Sequence, residues 1–151
     1  MNFDANVGHD PVLVSHCQTD NGDNEVVTRA RNVTAGAAEL RLQEEEGRDG
    51  DHTDEQVGFL VATRTSADLT TGIEQATDAW TSVDLSGVPA TDPVVLASIG
   101  TYDGNDPAGV RLRNVGSGQV DLFLEEETSK DDETTHHRGC RSLRDHARTD
   151  T

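Results

Sequence analysis

Two arginine pairs are the first residues of this chain that could do chemistry. Arg29 and Arg31 stand in "VTRARNV", and Arg111 and Arg113 in "VRLRNV". Alternate spacing puts both members of a pair on one face of a strand. Each guanidinium is a planar fork that grips a carboxylate, another anion or a hydroxyl group. Two acidic pairs, Glu44/Glu45 and Glu126/Glu127, follow on what reads as the neighbouring strand of a hairpin. The preferred reading is a structural cross-strand ladder of Arg31, Arg113, Glu44, Glu45, Glu126 and Glu127, each pair worth roughly 0.2–1 kcal/mol. The functional reading puts one arginine of each pair on a ligand's hydroxyl group or on an anion.

Two turns are rich in oxygen. "DNGDNE" carries Asp20 and Asp23, and "DGND" carries Asp103 and Asp106. That density suits Ca2+, and these four are weak metal candidates. The spacing and the terminal bidentate glutamate of an EF-hand are missing, so an Asx-rich hairpin turn is the better reading. No other cofactor is indicated. The six histidines are scattered, and no serine or cysteine sits in a nucleophile motif. With 29 acidic residues some carboxylate pair will always look catalytic. The expectation is a protein that is not an enzyme.

The elements that must hold these residues come in two copies. "DPVLVSHCQTDNGDNEVVTRARNVTAGAAELRLQEE" (Asp10–Glu45) aligns without gaps on "DPVVLASIGTYDGNDPAGVRLRNVGSGQVDLFLEEE" (Asp92–Glu127), an offset of 82 residues. Identities include Asp10/Asp92, Pro11/Pro93, Arg29/Arg111, Arg31/Arg113, Asn32/Asn114, Leu40/Leu122 and Glu44/Glu126. Each copy reads as β. "PVLVSH" and "PVVLAS" are apolar strands opened by a proline, and "TAG" and "GSG" link the next two strands as hairpins. Copy 1 adds an uncharged strand, "VGFLVA". Copy 2 is preceded by a strand around Trp80, Val83 and Leu85, with Trp80 expected in the core rather than as a sugar platform. No segment has a helical period. The predicted fold is an all-β antiparallel β-sandwich of two related, incomplete repeats. The first spans 1–63 and lacks the Trp strand. The second spans 64–135 and lacks the last strand. Residues 136–151 read as a basic flexible tail.

These blocks resemble the H-type lectin domain, a six-stranded antiparallel β-sandwich, in a tandem form found in secreted bacterial and haloarchaeal surface proteins. "DPVVLASIGTYDGND", "VRLRNV", "LFLEEE", "WTSVDLS" and "HTDEQVGFLVA" carry the likeness. It implies oligomers, trimeric in the family, that bind N-acetylgalactosamine-like sugars between protomers. By position it implies Arg29 and His52 in copy 1, and Arg111 and His136 in copy 2, as ligand-binding residues. The expected function is a glycan- or surface-polymer-binding adhesion module. The alternative is a structural or assembly module, a surface-protein or virion subunit, without a small ligand. The expected partners are a carbohydrate or cell-surface polymer and further copies of the chain, as a trimer or by strand swapping.

The second repeat breaks where "HTDEQVGFLVA" should return, reading "THHRGCRSLR" instead. With one choice of codons, a one-base shift across Thr135–Ser142 spells His-Thr-Thr-Glu-Val-Val-Gly. The tail is therefore read as an out-of-frame end of the repeat. It leaves copy 2 with an unpaired edge.

Composition narrows the setting. Net charge is -17, from 29 acidic against 12 basic residues, and Lys130 is the single lysine. An Asp-rich, lysine-poor surface suits high salt, where screening removes self-repulsion. A halophilic, archaeal source is expected. Such charge argues against nucleic-acid binding, and no apolar run is long enough to span a membrane as a helix. "MNFDANVGHD" shows no export signal. An extracellular, cell-surface or virion location is expected from the resemblance alone. Asn32-Val33-Thr34 is a glycosylation sequon, meaningful only in an exported chain.

Overall fold

A computed structural model describes residues 1–4, 6–63, 68–88 and 91–132. Seven strands occur in it: β1 (Val12–Cys17), β2 (Val26–Arg31), β3 (Glu39–Glu44), β4 (Val57–Ala62), β5 (Thr81–Asp84), β6 (Ala108–Arg113) and β7 (Gln119–Glu126). Every ladder is antiparallel, and no helix occurs among the described residues. The protein is all-β, an arrangement consistent with a β-sandwich.

Strands β1 and β4 form one two-stranded ladder, β2 and β3 another, and β5-β7-β6 a three-stranded sheet. The hairpins β2–β3 and β6–β7 occupy aligned positions of the two repeats. Both turn at an asparagine with positive φ, Asn32 at 49° and Asn114 at 51°. Asparagine tolerates that left-handed region because its short amide bonds locally. The expected Trp strand is β5, which joins the second half through β7 with Val83 opposite Val120.

Two small apolar cores result. Leu13, Ala30 and Ala38 centre one, with Phe3, Val33, Leu40 and Val61 against them. Ile99, Ala108 and Leu124 centre the other, with Ala76 and Val110. Small cores follow from a composition with 32% hydrophobic and 3% aromatic residues. Polar contacts must therefore carry much of the link between the halves. Glu46 N–H donates to Glu127 (2.7 Å), Gly47 N–H to Ser129 Oγ (2.8 Å), and Ala30 N–H to the Ile99 carbonyl (3.2 Å).

Two expectations need correction. "PVVLAS" reads as a strand like β1, yet residues 94–98 carry no ladder. β1 is a strand because β4 satisfies its backbone over the full length, Val12 opposite Ala62 through Cys17 opposite Val57. No described segment does the same for Val94–Ser98. Trp80, expected in the core, is 40% exposed. It stands one residue outside β5. The Arg113 guanidinium lies over its ring at 3.9 Å, and Phe123 packs beside it with centroids 4.4 Å apart.

Candidate functional site

Register decides which charges meet. Strands β2 and β3 pair so that Arg31 faces Glu39 and Arg29 faces Arg41, while Glu44 faces Val26. Arg113 likewise faces Asp121, and Glu126 faces Ala108. The ladder expected from Glu44, Glu45, Glu126 and Glu127 is therefore displaced. Arg31 pairs with Glu39 at 2.6 Å and Arg113 with Asp121 at 3.3 Å. Asn32 and Asn114 brace the same two carboxylates, each at 2.7 Å. Both carboxyl groups are held below the usual range. For Glu39 the Asn32 hydrogen bond leads. For Asp121 it is the Ser82 hydroxyl, followed by Asn114. Of the expected acidic partners, Glu45 binds Arg48 (2.6 Å), and Glu127 accepts from the Glu46 backbone. Glu126 is buried on β7.

A second pair of contacts also recurs at matching positions. Arg29 bonds Gln43 (2.9 Å), and Arg111 bonds Glu125. Their surroundings differ completely. Arg111 keeps its side chain 64% exposed. Arg29 is 0% exposed, the largest fully buried side chain among the described residues. The second repeat's turn, Thr101–Asp106, roofs it. The guanidinium donates to the carbonyls of Thr101 (3.1 Å), Gly104 (3.2 Å), Asp106 (3.3 Å) and Asp103. The oxygen-rich turn does hold a cation, and the cation is an arginine.

The roof also settles a like-charge problem. Arg29 and Arg41 face each other across the ladder, which costs free energy unless something neutralises them. Tyr102 lies between Arg31 and Arg41, 4.4 and 4.5 Å from ring centroid to guanidinium. Its π face is electron-rich and favours both. Burial, then Arg41, lowers the Arg29 pKa; Asp103, Tyr102 and Asp106 oppose that.

The equivalent turn of the first repeat reverses the polarity. Thr19 Oγ1, Asn21 N–H (2.7 Å) and Gly22 N–H (3.0 Å) all donate to the Glu55 carboxylate. His52 stands between Glu55 (Nε2, 3.2 Å) and Glu44 (Nδ1, 3.3 Å), its side chain only 7% exposed. Asn24 and the Gly50 N–H complete the Glu44 shell at 2.8 and 3.0 Å. The Thr19 hydroxyl contributes most to taking Glu55 down to about 2, and backbone donors add to it. Glu44 is lowered chiefly by Asn24. Burial opposes charge on His52, but hydrogen bonds to Glu44 and Glu55 outweigh it and raise its pKa.

A pH dependence follows. His52 has a raised folded pKa, so its contribution is complete below the ordinary value of 6.5 and fades as pH climbs through the folded value. Glu55 is depressed, so its contribution is complete above 4.5 and is lost as pH falls toward about 2. The cluster stabilises most between pH 4.5 and 6.5. Thermal midpoints of the wild type and His52→Ala in molar KCl should differ most inside that window, and the difference should narrow as pH rises through the raised His52 value. A difference independent of pH would contradict the assignment.

His136 lies outside the described residues. Asp20, Asp23 and Asp103 are exposed and Asp106 half-buried. Among the described residues, no group of three or more His, Cys, Asp or Glu is placed to hold a metal ion. An open cleft of about 290 Å³ lies between β3 and Asn105/Pro107, with Glu44, Glu46 and Arg48 on its walls. Its lining includes no aromatic ring.

No family model, curated protein or solved structure matches this chain. Sequence reasoning missed Glu55, Gln43, Glu39 and Asp121. The last two had a signal, since both follow the repeated asparagine at the same offset. Glu55 had none, because it serves a turn 33 or more residues away in the chain.

Proposed function

We propose that this chain is a non-catalytic structural and assembly module of a halophile's surface protein or virion, built on an H-type-lectin-like β-sandwich whose sugar position is closed. One observation supports this most. Arg29, the residue that the lectin resemblance puts on the sugar, is fully buried with four backbone carbonyls and Gln43 as its partners. A side chain with no exposed surface cannot reach a ligand without lifting this roof and unpairing the carbonyls that it holds. His52 is engaged in the same way, with a carboxylate on each ring nitrogen.

The glycan-binding reading keeps one foothold. Arg111 occupies the matching position in the second repeat and is open to solvent. A saccharide array in molar KCl, with wild type and Arg111→Ala, tests both readings. No saccharide-dependent signal is expected from either protein. A signal present in wild type and lost in Arg111→Ala would reinstate carbohydrate binding.

A further inference from the structure

Among the described residues, the strip Val94–Ser98 pairs with no strand. Among the described residues, the backbone groups of 94–97 make no hydrogen bond. Val94 is 88% exposed and Leu96 62%, the two most exposed large apolar side chains described. At its far end the strip is anchored. Ser98 Oγ donates to the Leu13 carbonyl (3.0 Å), the Ile99 carbonyl accepts from Ala30 N–H, and Ile99 is buried. A fixed base thus holds out an apolar segment whose backbone groups meet no partner among the described residues. Such an edge recruits another strand.

The first repeat shows what kind of strand fits. Val12 and Val14 of β1 align with Val94 and Leu96, and β1 is paired along its length by β4. The β4 sequence, Val57-Gly58-Phe59-Leu60-Val61-Ala62, carries no charge. The second repeat has Gly139-Cys140-Arg141-Ser142-Leu143-Arg144 at the aligned positions, with arginines where β4 has Phe59 and Ala62.

Charge narrows the choice further. In high salt the net charge of -17 is screened at a distance, but like charges brought into direct contact still repel, so an uncharged surface is favoured where two copies touch. The strip has no charged residue over 94–99, and β4 has none over 57–62. Among the described residues, β4 also has one edge unpaired in its two-stranded ladder. Phe59 and Leu60 within it, each 49% exposed, give the strand apolar surface.

We infer that Val94–Ile99 of one copy pairs with the free edge of β4 in a second copy, so that the chain assembles by β-strand addition. A two-fold axis would make the contact twice and close a dimer. This rests on the assembly reading above and names its mechanism.

Sedimentation equilibrium in molar KCl tests it on the full chain, comparing wild type, Val94→Asp/Leu96→Asp and Leu60→Asp. These side chains are exposed, and circular dichroism with thermal unfolding of dilute samples checks that each variant folds. The wild type should dimerise, and either variant should raise the dissociation constant by at least about tenfold, since an unpaired charge would enter the apolar contact. Dimers equally strong in both variants would overturn this interface and leave the assembly reading standing. A wild type that stays monomeric up to millimolar concentration would overturn self-pairing itself. Saccharide binding in the array would instead sink the assembly reading, whatever the mass.

Discussion

Arg29→Ala should destabilise the folded chain by about 3–5 kcal/mol. The reason is not a lost surface charge. Removing the guanidinium leaves the carbonyls of Thr101, Asp103, Gly104 and Asp106 facing a void, while Gln43 keeps its bond from Arg41. Each buried acceptor left unpaired costs about 1–3 kcal/mol, less where water can enter. Arg29→Lys keeps the charge but cannot fork to carbonyls on several sides, so roughly half the loss should remain. The internal control is Arg111→Ala at the aligned position. Arg111 is exposed and holds a surface ion pair with Glu125, so its loss should stay within about 1 kcal/mol. Urea unfolding in molar KCl measures all three. Equal effects at positions 29 and 111 would mean that the roof over Arg29 is not closed in solution.

Gly22→Ala should have the next largest effect, about 1–3 kcal/mol, through overpacking. A Cβ at this position would lie 2.3 Å from His52 Cε1 and 2.7 Å from Nε2. A flexible side chain could swing away from such a contact. His52 cannot, because Glu44 and Glu55 hold its two ring nitrogens from opposite sides. Moving the ring breaks at least one of those bonds, and Gly22 N–H is itself a donor to Glu55. A double-mutant cycle isolates the contact. In a His52→Ala background the same Gly22→Ala change should cost much less. An unchanged cost would place the effect in the turn's backbone rather than against the imidazole.

The two turns show how far a sequence can be read. The strand positions were legible, because apolar alternation and turn residues are local signals. So was the likeness of β2 to β6 and of β3 to β7, through the 82-residue offset. Register was not legible. Alternation says which face Arg31 takes but not how far β3 slides along β2, and that slide decides between Glu39 and Glu44. The burial of Arg29 was hidden for a different reason. Its partners lie 72 to 77 residues away in the other repeat, and two nearly identical "R-x-R-N" strands carry no mark of which one will be roofed. The Val94–Ser98 expectation failed in an instructive way. The residues suit a strand, but a strand exists only with a partner, and no described segment pairs with this one.

The oxygen-rich turns illustrate the same lesson for chemistry. Thr101–Asp106 and Thr19–Asn24 share a frame, yet one turns carbonyls toward a guanidinium and the other turns N–H groups toward a carboxylate. A motif rich in Asp, Asn and Gly offers both kinds of group. Which kind points inward depends on the charge that the opposing strand or loop presents, Arg29 in one case and Glu55 in the other.

The central claim is that Arg29 serves the fold and not a ligand. Side-chain hydrogen exchange, read by NMR on 15N-arginine protein in molar KCl, tests it most directly. The Arg29 Nε–H, assigned by its absence in Arg29→Lys, should exchange far more slowly than that of Arg111 and should not shift when N-acetylgalactosamine or other saccharides are added. An Arg29 Nε–H that exchanges as fast as Arg111, or that moves on saccharide addition, would contradict the claim.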